Sequence, residues 1–491
     1  MHMSGLEKRS GLFVLAWFIL TYAAVMGAMT LALLARGADV YMRALVSNLP
    51  NFLSLAGICA LAVFLLYLFA KNVQPEALEQ PRKLALMCAL VVFSFAVSLT
   101  FGMALGVFLR PVVLVSMLAA VLLGKRLALF TGVIVNLLLV LFDFMEQGYA
   151  ITANWQWIYM LLSFAACSLA AVLTGERRRL AVVFSVFKIG IPSAALVMLA
   201  QIMFGQTLSS GAHSAGQAFL GVLLSVLLFL ALLPVFEIVF NVLTVYRITE
   251  LTDHNRTLIK RMINEAPGTF NHVLVVSNLA ESCALAIGED PRLTRAAAYY
   301  HDIGKLAHPE YFKENQKTGN PHDQLTPELS TSLIKKHTTD GYALAKKHGL
   351  PEEIAAVTRE HHGTLPIKYF YYRAQKYTDG TLSMDAFRYD GPKPSTKIAA
   401  IIMIADACEA AVRALSDHSH EKVEETVRSI IEERIELEQF TRCDITFKDV
   451  YTIRDTIVNS YAGFYHDRVQ YPKFKLSLRK PTDEEYINEE E

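Results

Sequence analysis

The chain has 491 residues, 53% of them hydrophobic and 19% charged, which is too apolar for a soluble protein of average make-up. Its 46 basic and 46 acidic residues cancel, so net charge argues nothing about partners, and no nucleic acid polymer is expected among them. The apolar excess is confined to the first half, whereas charge is dense from Tyr246 to the acidic stretch ending in Glu489-Glu490-Glu491. Six scattered cysteines (Cys59, Cys88, Cys167, Cys283, Cys408, Cys443) form no CxxC pair, so neither a disulfide framework nor a thiolate zinc site is implied.

Lys8 and Arg9 precede an apolar run too long for a signal peptide, and it reads as a retained anchor. Runs that match a bilayer's thickness lie at 12–35, 52–70, 84–103, 105–123, 127–143, 157–174, 182–204 and 219–243, which predicts eight crossings. The fourth contains Arg110 and Pro111 and could be short or re-entrant, which would leave seven. Lys71, Arg82-Lys83, Lys125-Arg126, Arg177-Arg178-Arg179 and Arg247 fall on alternate sides, so eight spans with both ends cytoplasmic fit the positive-inside rule. Arg36 and Arg43 in the 36–51 loop are the exception. Lys188, Glu237 and Asp143 read as structural polar residues near span ends. No chain of ionisable groups suggests an ion pathway, so a transporter is the weakest reading.

Residues 246–268 alternate apolar and charged residues at near-helical spacing and are expected to continue the last span as one helix up to Pro267-Gly268. Beyond it, helices are predicted at 273–287, 291–301, 326–348, 352–361, 396–415, 421–439 and 449–466, with long loops at 307–325 and 364–394. Alternation of the β type is nearly absent, so the fold class is all-α: a multi-span membrane bundle followed by an all-α domain.

That domain sets out His272, His301-Asp302, His337, His361-His362 and Asp406. Imidazole suits transition metals, and a carboxylate can bridge two cations and offset their repulsion, so this set is sufficient for a two-metal phosphate-ester hydrolysis site. A lone His-Asp pair recurs by accident, but His301-Asp-Ile-Gly-Lys305 with the other ligands spaced on successive helices does not. His254 reads as structural, and His308 and His322 lie in the polar loop beside the His-Asp pair.

His272-Val, Leu279-Ala-Glu281, Ala297-Ala-Tyr-Tyr-His301-Asp-Ile-Gly-Lys305, Tyr311-Phe-Lys-Glu-Asn-Gln316, Asn320-Pro-His-Asp323, His361-His-Gly-Thr364, Phe387-Arg-Tyr-Asp-Gly-Pro392 and Ala405-Asp406 resemble the bacterial seven-transmembrane HD-domain phosphodiesterases. Those PgpH-like enzymes hydrolyse cyclic di-AMP to pApA. The resemblance implies one metal on His272, His301 and Asp406, another on His337, His361 and His362, and Asp302 bridging both, with iron or manganese as the metals. A bridging hydroxide would attack phosphorus in line, and Lys305 would neutralise phosphate charge. Lys305, Tyr311, Asn320 and His322 are expected to touch substrate.

The implied organisation is a transmembrane region at 1–245, a helical connector at 246–268, an HD-type phosphodiesterase domain at 269–472 and an acidic tail at 473–491. The expected setting is the bacterial inner (cytoplasmic) membrane, with the catalytic domain in the cytosol. The partners are the lipid bilayer and a cyclic dinucleotide, and two copies could pair through the connectors as a homodimer. Family members often carry a large extracellular domain after the first span, and here only 36–51 fills that gap. Residue chemistry alone leaves open cyclic di-GMP, a mixed cyclic dinucleotide, an alarmone, or a receptor that binds a nucleotide without turnover.

Overall fold

Hydrocarbon offers a backbone no hydrogen bonds, so long apolar segments cross it as helices. A computed structural model describes residues 11–149, 155–174, 179–317, 319–377 and 382–464. Lys8, Arg9, Arg177, Arg178, His466 and the tail 473–491 lie outside the described residues. The chain divides into two units, Met1–Leu251 and Thr252–Glu491.

The first unit contains α1 (Gly11–Arg36), α2 (Leu49–Val73), α3 (Pro81–Leu105), α4 (Leu114–Leu122), α5 (Lys125–Glu146), α6 (Trp155–Leu173), α7 (Arg179–Met203) and α8 (Leu208–Val239). Among the described residues seven helices are long and apolar enough to cross a membrane. One of the seven, Pro267–Ile287, belongs to the second unit, where it carries His272 and packs against other helices of that unit. The protein is an integral membrane protein through its first unit.

The fourth expected span, 105–123, is not one continuous helix. Gly106 (φ 109°) ends α3, a 3-10 turn covers Val107–Leu109, and α4 begins only after Pro111. Nine residues of helix rise about 14 Å, half a bilayer core. The segment nevertheless runs from one end of the unit to the other. Arg110 pairs with Asp143 near the end of α5 where Glu146 meets Arg36, whereas the Leu123 carbonyl accepts from Gln74 Nε2 and Lys125 reaches the Val172 carbonyl at the opposite end.

Irregular backbone at that depth must be satisfied within protein. The Val112 carbonyl accepts from Asn136 Nδ2 at 3.4 Å and Cys167 Sγ at 3.2 Å. Arg110 and Asp143, 2% and 1% exposed, form a two-pronged ion pair at 2.7 and 2.6 Å. The Tyr159 ring lies 5.1 Å from the Arg110 guanidinium. Two small residues make room, since a Cβ on Gly102 would lie 2.1 Å from Arg110 Nε, and one on Gly221 would lie 2.9 Å from the Phe108 and Arg110 carbonyl oxygens.

The expected continuous connector is also broken. After Val239 the chain passes through Asn241 at φ 50°, and Arg247 turns back to donate to the carbonyls of Glu237 and Val242. Capping the end of α8 in this way leaves its carbonyls no next turn to serve. Two short helices follow, α9 (Val245–Leu251) and α10 (Thr257–Glu265), and Pro267 opens a new helix rather than closing the old one.

The second unit continues with α11 (Pro267–Ile287), α12 (Pro291–Tyr300), α13 (Pro327–Lys347), α14 (Glu352–Glu360), α15 (Lys368–Gln375), α16 (Lys397–Arg413), α17 (His420–Glu436) and α18 (Phe447–Phe464). These fall within a few residues of the predicted helices, except α11, which starts earlier, and α15, which lies inside the long loop 364–394. Among the described residues there is no strand, only an isolated bridge between Pro366 and Arg388. Its backbone bonds, Ile367 N–H to Phe387 O and Tyr389 N–H to Leu365 O, bring Tyr389 beside His362.

Candidate metal centre and active-site cleft

Each cluster residue is delivered by a helix end or face whose start the sequence specifies. Asp290 accepts from the N–H groups of Arg292 and Leu293, with Pro291 at the first position, so α12 starts there and runs out at His301-Asp302. Thr326 caps α13, which carries His337, and Thr396 caps α16, which carries Asp406. His361-His362 follow the last turn of α14, and His272 sits in the second turn of α11.

Glycine sets the closest contact. A Cβ on Gly304 would lie 1.8 Å from the His337 carbonyl oxygen, so only glycine lets the turn after His301-Asp302 cross α13. Asn315 ties the neighbouring loop to the start of α11, accepting from Thr269 N–H at 3.1 Å and donating to Thr269 Oγ1 at 2.8 Å.

The seven side chains converge. Oδ2 of Asp302 lies 3.7 Å from His272 Nε2 and 3.4 Å from His301 Nε2, while Oδ1 lies 3.5 Å from His337 Nε2 and 3.6 Å from His361 Nε2. Asp406 is 3.0 Å from His272 and 3.9 Å from His301 through Oδ1, and 3.8 Å from His362 through Oδ2. Ligand atoms of His272, His301 and Asp406 form one compact group, and those of His337, His361 and His362 form another.

The donor set fits metal ions. Nδ1 of His301, His337 and His361 donates to the carbonyls of Ala298, Ile334 and Val357, and Nδ1 of His272 donates to Glu409. Each Nε2 is thereby left as a lone pair facing inward, the tautomer a metal requires. His301 Nε2 and Asp302 Oδ1 are buried without hydrogen-bond partners, and Nε2 of His337 and His361 face each other at 3.3 Å. Buried polar atoms with no partner are costly unless a ligand completes them.

Electrostatics agree with that reading. Burial pushes His337 down to about 4 and holds His362 well below the usual imidazole range, so both imidazoles are neutral at pH 7, the state in which an imidazole can bind a metal. Burial works against the Asp302 carboxylate, but Lys305 and His301 hold it well below the ordinary range. His272 differs: burial opposes its charged form, yet its hydrogen bonds to Asp406 and Glu409 outweigh that and raise the group to about 9, so a metal ion bound there would have to displace the proton from Nε2.

His272, His337, His362 and Asp406 line a solvent-connected cleft of about 290 Å³. Lys305 lines it, 2.7 Å from Asp302 and 2.8 Å from Glu314, with its ammonium 4.9 Å from the centre of the Phe312 ring. Tyr311, Asn320 and His322, which were expected to touch substrate, are not among the residues that line this cleft. Asn320 is spent on capping the turn at His322, and the buried His322 donates to the Tyr311 carbonyl at 2.9 Å and packs on Phe370, so the three brace the loop. His254 contacts the Tyr299 hydroxyl at 3.3 Å, away from the cluster.

Sequence reasoning missed Glu409, Glu314 and Tyr389. Glu409 lies three residues after Asp406, one turn along the same face, which was a usable signal. Tyr389 stacks on His362 with ring centres 4.3 Å apart, a contact made by the 364–394 loop that no local pattern announces.

Family comparison agrees with this architecture. Residues 49–244 match the model described as a 7TM receptor with intracellular HD hydrolase, and residues 269–411 match the HD domain. The cyclic-di-AMP phosphodiesterase PgpH of Listeria monocytogenes serotype 1/2a (strain 10403S) is 37% identical over 85% of this chain and 58% of its own. PgpH of Bacillus subtilis (strain 168) is 40% identical over 57% of this chain and 40% of its own. The chain thus spans about half the length of these relatives. A crystal structure of the L. monocytogenes PgpH HD domain in complex with cyclic-di-AMP is 45% identical, covering 44% of this chain and 100% of that one, with a TM-score of 0.42. The chain belongs to the family of membrane proteins that join a seven-transmembrane receptor region to an intracellular HD hydrolase domain.

Proposed function

We propose that the cleft hydrolyses a phosphodiester bond of a cyclic dinucleotide, cyclic di-AMP to linear pApA, using two divalent ions, iron or manganese. His272, His301 and Asp406 would hold one ion, and His337, His361 and His362 the other, with Asp302 between them. The observation that carries this reading is the posture of Asp302, whose two oxygens each face a different pair of imidazoles. Two ions held there would supply an activated water and draw charge from the phosphate oxygens. Lys305, at the cleft wall, orients Asp302 and offsets phosphate charge. The choice of cyclic di-AMP rests on the named activity of the relatives.

The reading puts the domain at 269–472 in the cytosol and the region 1–245 in the bacterial inner membrane, linked by 246–268, with 473–491 as a tail. Lys71, Arg82, Lys83, Lys125 and Arg126 gather at one end of the first unit, and α8 runs toward that end, as the positive-inside rule asks of a cytosolic face. A homodimer paired through the connector would join helices of only seven and nine residues, each too short to persist alone in water.

The test is Asp302→Ala in the full chain. Turnover of cyclic di-AMP should vanish and metal content fall, with helicity and membrane insertion retained. Turnover near the native rate would refute the two-ion reading.

A further inference from the structure

Two arginines enter the cleft that the cluster itself does not use. Arg413 lies seven residues beyond Asp406 on α16, two turns along the same face, and Ala407 and Ala410 leave the wall between them open. Side chains on a helix lean toward its N-terminus. Arg413 accordingly reaches back, Nη1 lying 3.2 Å from Glu409 Oε1, and Glu409 in turn accepts from His272. One carboxylate therefore separates this guanidinium from the cluster, and the side chain is still 50% exposed to the cleft's solvent.

Arg434 enters from α17, which packs on α16. Its side chain is 11% exposed; Nη1 bonds Glu433 at 2.5 Å and, more weakly, the Ile430 carbonyl at 3.4 Å. Its Nε is buried with no hydrogen-bond partner. A largely desolvated guanidinium with an unmatched donor is costly, and an anionic ligand relieves that cost. Near the ion cluster the cleft thus carries cationic groups beyond those a single phosphate at the ions would engage.

A cyclic dinucleotide carries two phosphodiesters on one closed ring. When one lies at the ions, the ring delivers the other, still charged, one sugar away into the same cleft. We propose that Arg413 and Arg434 seat this second, non-scissile phosphodiester, so that the cleft selects substrates with two phosphodiesters over those with one. The inference rests on the reading of the cleft as a cyclic dinucleotide hydrolase. Guanidinium suits the task because it is always charged and presents paired donors to phosphate oxygens.

The experiment uses the full chain in detergent, loaded with manganese, and compares kcat/KM on cyclic di-AMP with that on bis(4-nitrophenyl) phosphate, which has one phosphodiester. For Arg434→Gln and Arg413→Gln the ratio of the two should fall about tenfold or more each, through KM for the dinucleotide, as expected for a lost charged hydrogen bond. Arg434→Lys should recover part of the loss, with metal content native throughout. A ratio unchanged in both variants, or equal losses on both substrates, overturns the seat while leaving the hydrolase reading intact. Native protein that cleaves the one-phosphodiester probe and no cyclic dinucleotide overturns the hydrolase reading, and the seat with it.

Discussion

Glu409→Gln tests how the cluster is built. Glu409 is 4% exposed and accepts the Nδ1–H of His272, which fixes the ring with Nε2 toward Asp302 and Asp406. Glutamine keeps the volume and an acceptor oxygen but removes the charge, and a charge-assisted hydrogen bond is about twice as strong as a neutral one. Loss of such an outer partner weakens metal binding by about 10- to 100-fold, which converts to about 1.4–2.8 kcal/mol. The effect should fall on one ion only. His337 and His361 are oriented by the carbonyls of Ile334 and Val357, which the substitution does not touch. Metal-stripped full chain, titrated with manganese against a chelating indicator, should show one site weakened by that factor and the other at native affinity. Native affinity at both sites, or equal weakening of both, would refute the assignment of Glu409 to His272.

Gly304→Ala should be among the most damaging small substitutions in the second unit, because the new methyl meets the His337 carbonyl oxygen at 1.8 Å. Separation of the turn from α13 should cost more than about 4 kcal/mol, seen as loss of the unit's thermal transition; a midpoint within two degrees of native would count against it. In the membrane unit, Arg110→Ala leaves Asp143 buried and unpaired, a loss of about 3–5 kcal/mol. The double variant Arg110→Met with Asp143→Leu should recover much of that in detergent melts. Equal stability of the single variant and the native chain would contradict the role given to the pair.

Much of the helical layout is legible in the sequence because apolar period and length carry it. Arg110-Pro111 announced trouble in the fourth span, but not that Asp143 would receive the arginine, since the pairing joins segments 33 residues apart. The connector misled for a physical reason. Its periodicity is helical, yet the carbonyls at the end of α8 are taken by Arg247, and Asn241 adopts a left-handed backbone that no periodic pattern signals. In the cluster, metal-ligating residue types stood out as dipeptides and isolated histidines. The groups that orient them are ordinary carbonyls and one glutamate, which carry no sequence signature of their own. The loop contacts of Asn320, His322 and Tyr311 were not legible, because a polar loop beside His301-Asp302 looks alike whether it faces substrate or braces itself.

Cyclic dinucleotide hydrolysis by the cleft can be tested by incubating the full chain, loaded anaerobically with iron or manganese, with cyclic di-AMP, cyclic di-GMP and the mixed dinucleotide, and resolving the products by chromatography. Conversion of cyclic di-AMP to pApA in preference to the other two is the expected result. Two bound metals with no cleavage of any of the three would contradict it.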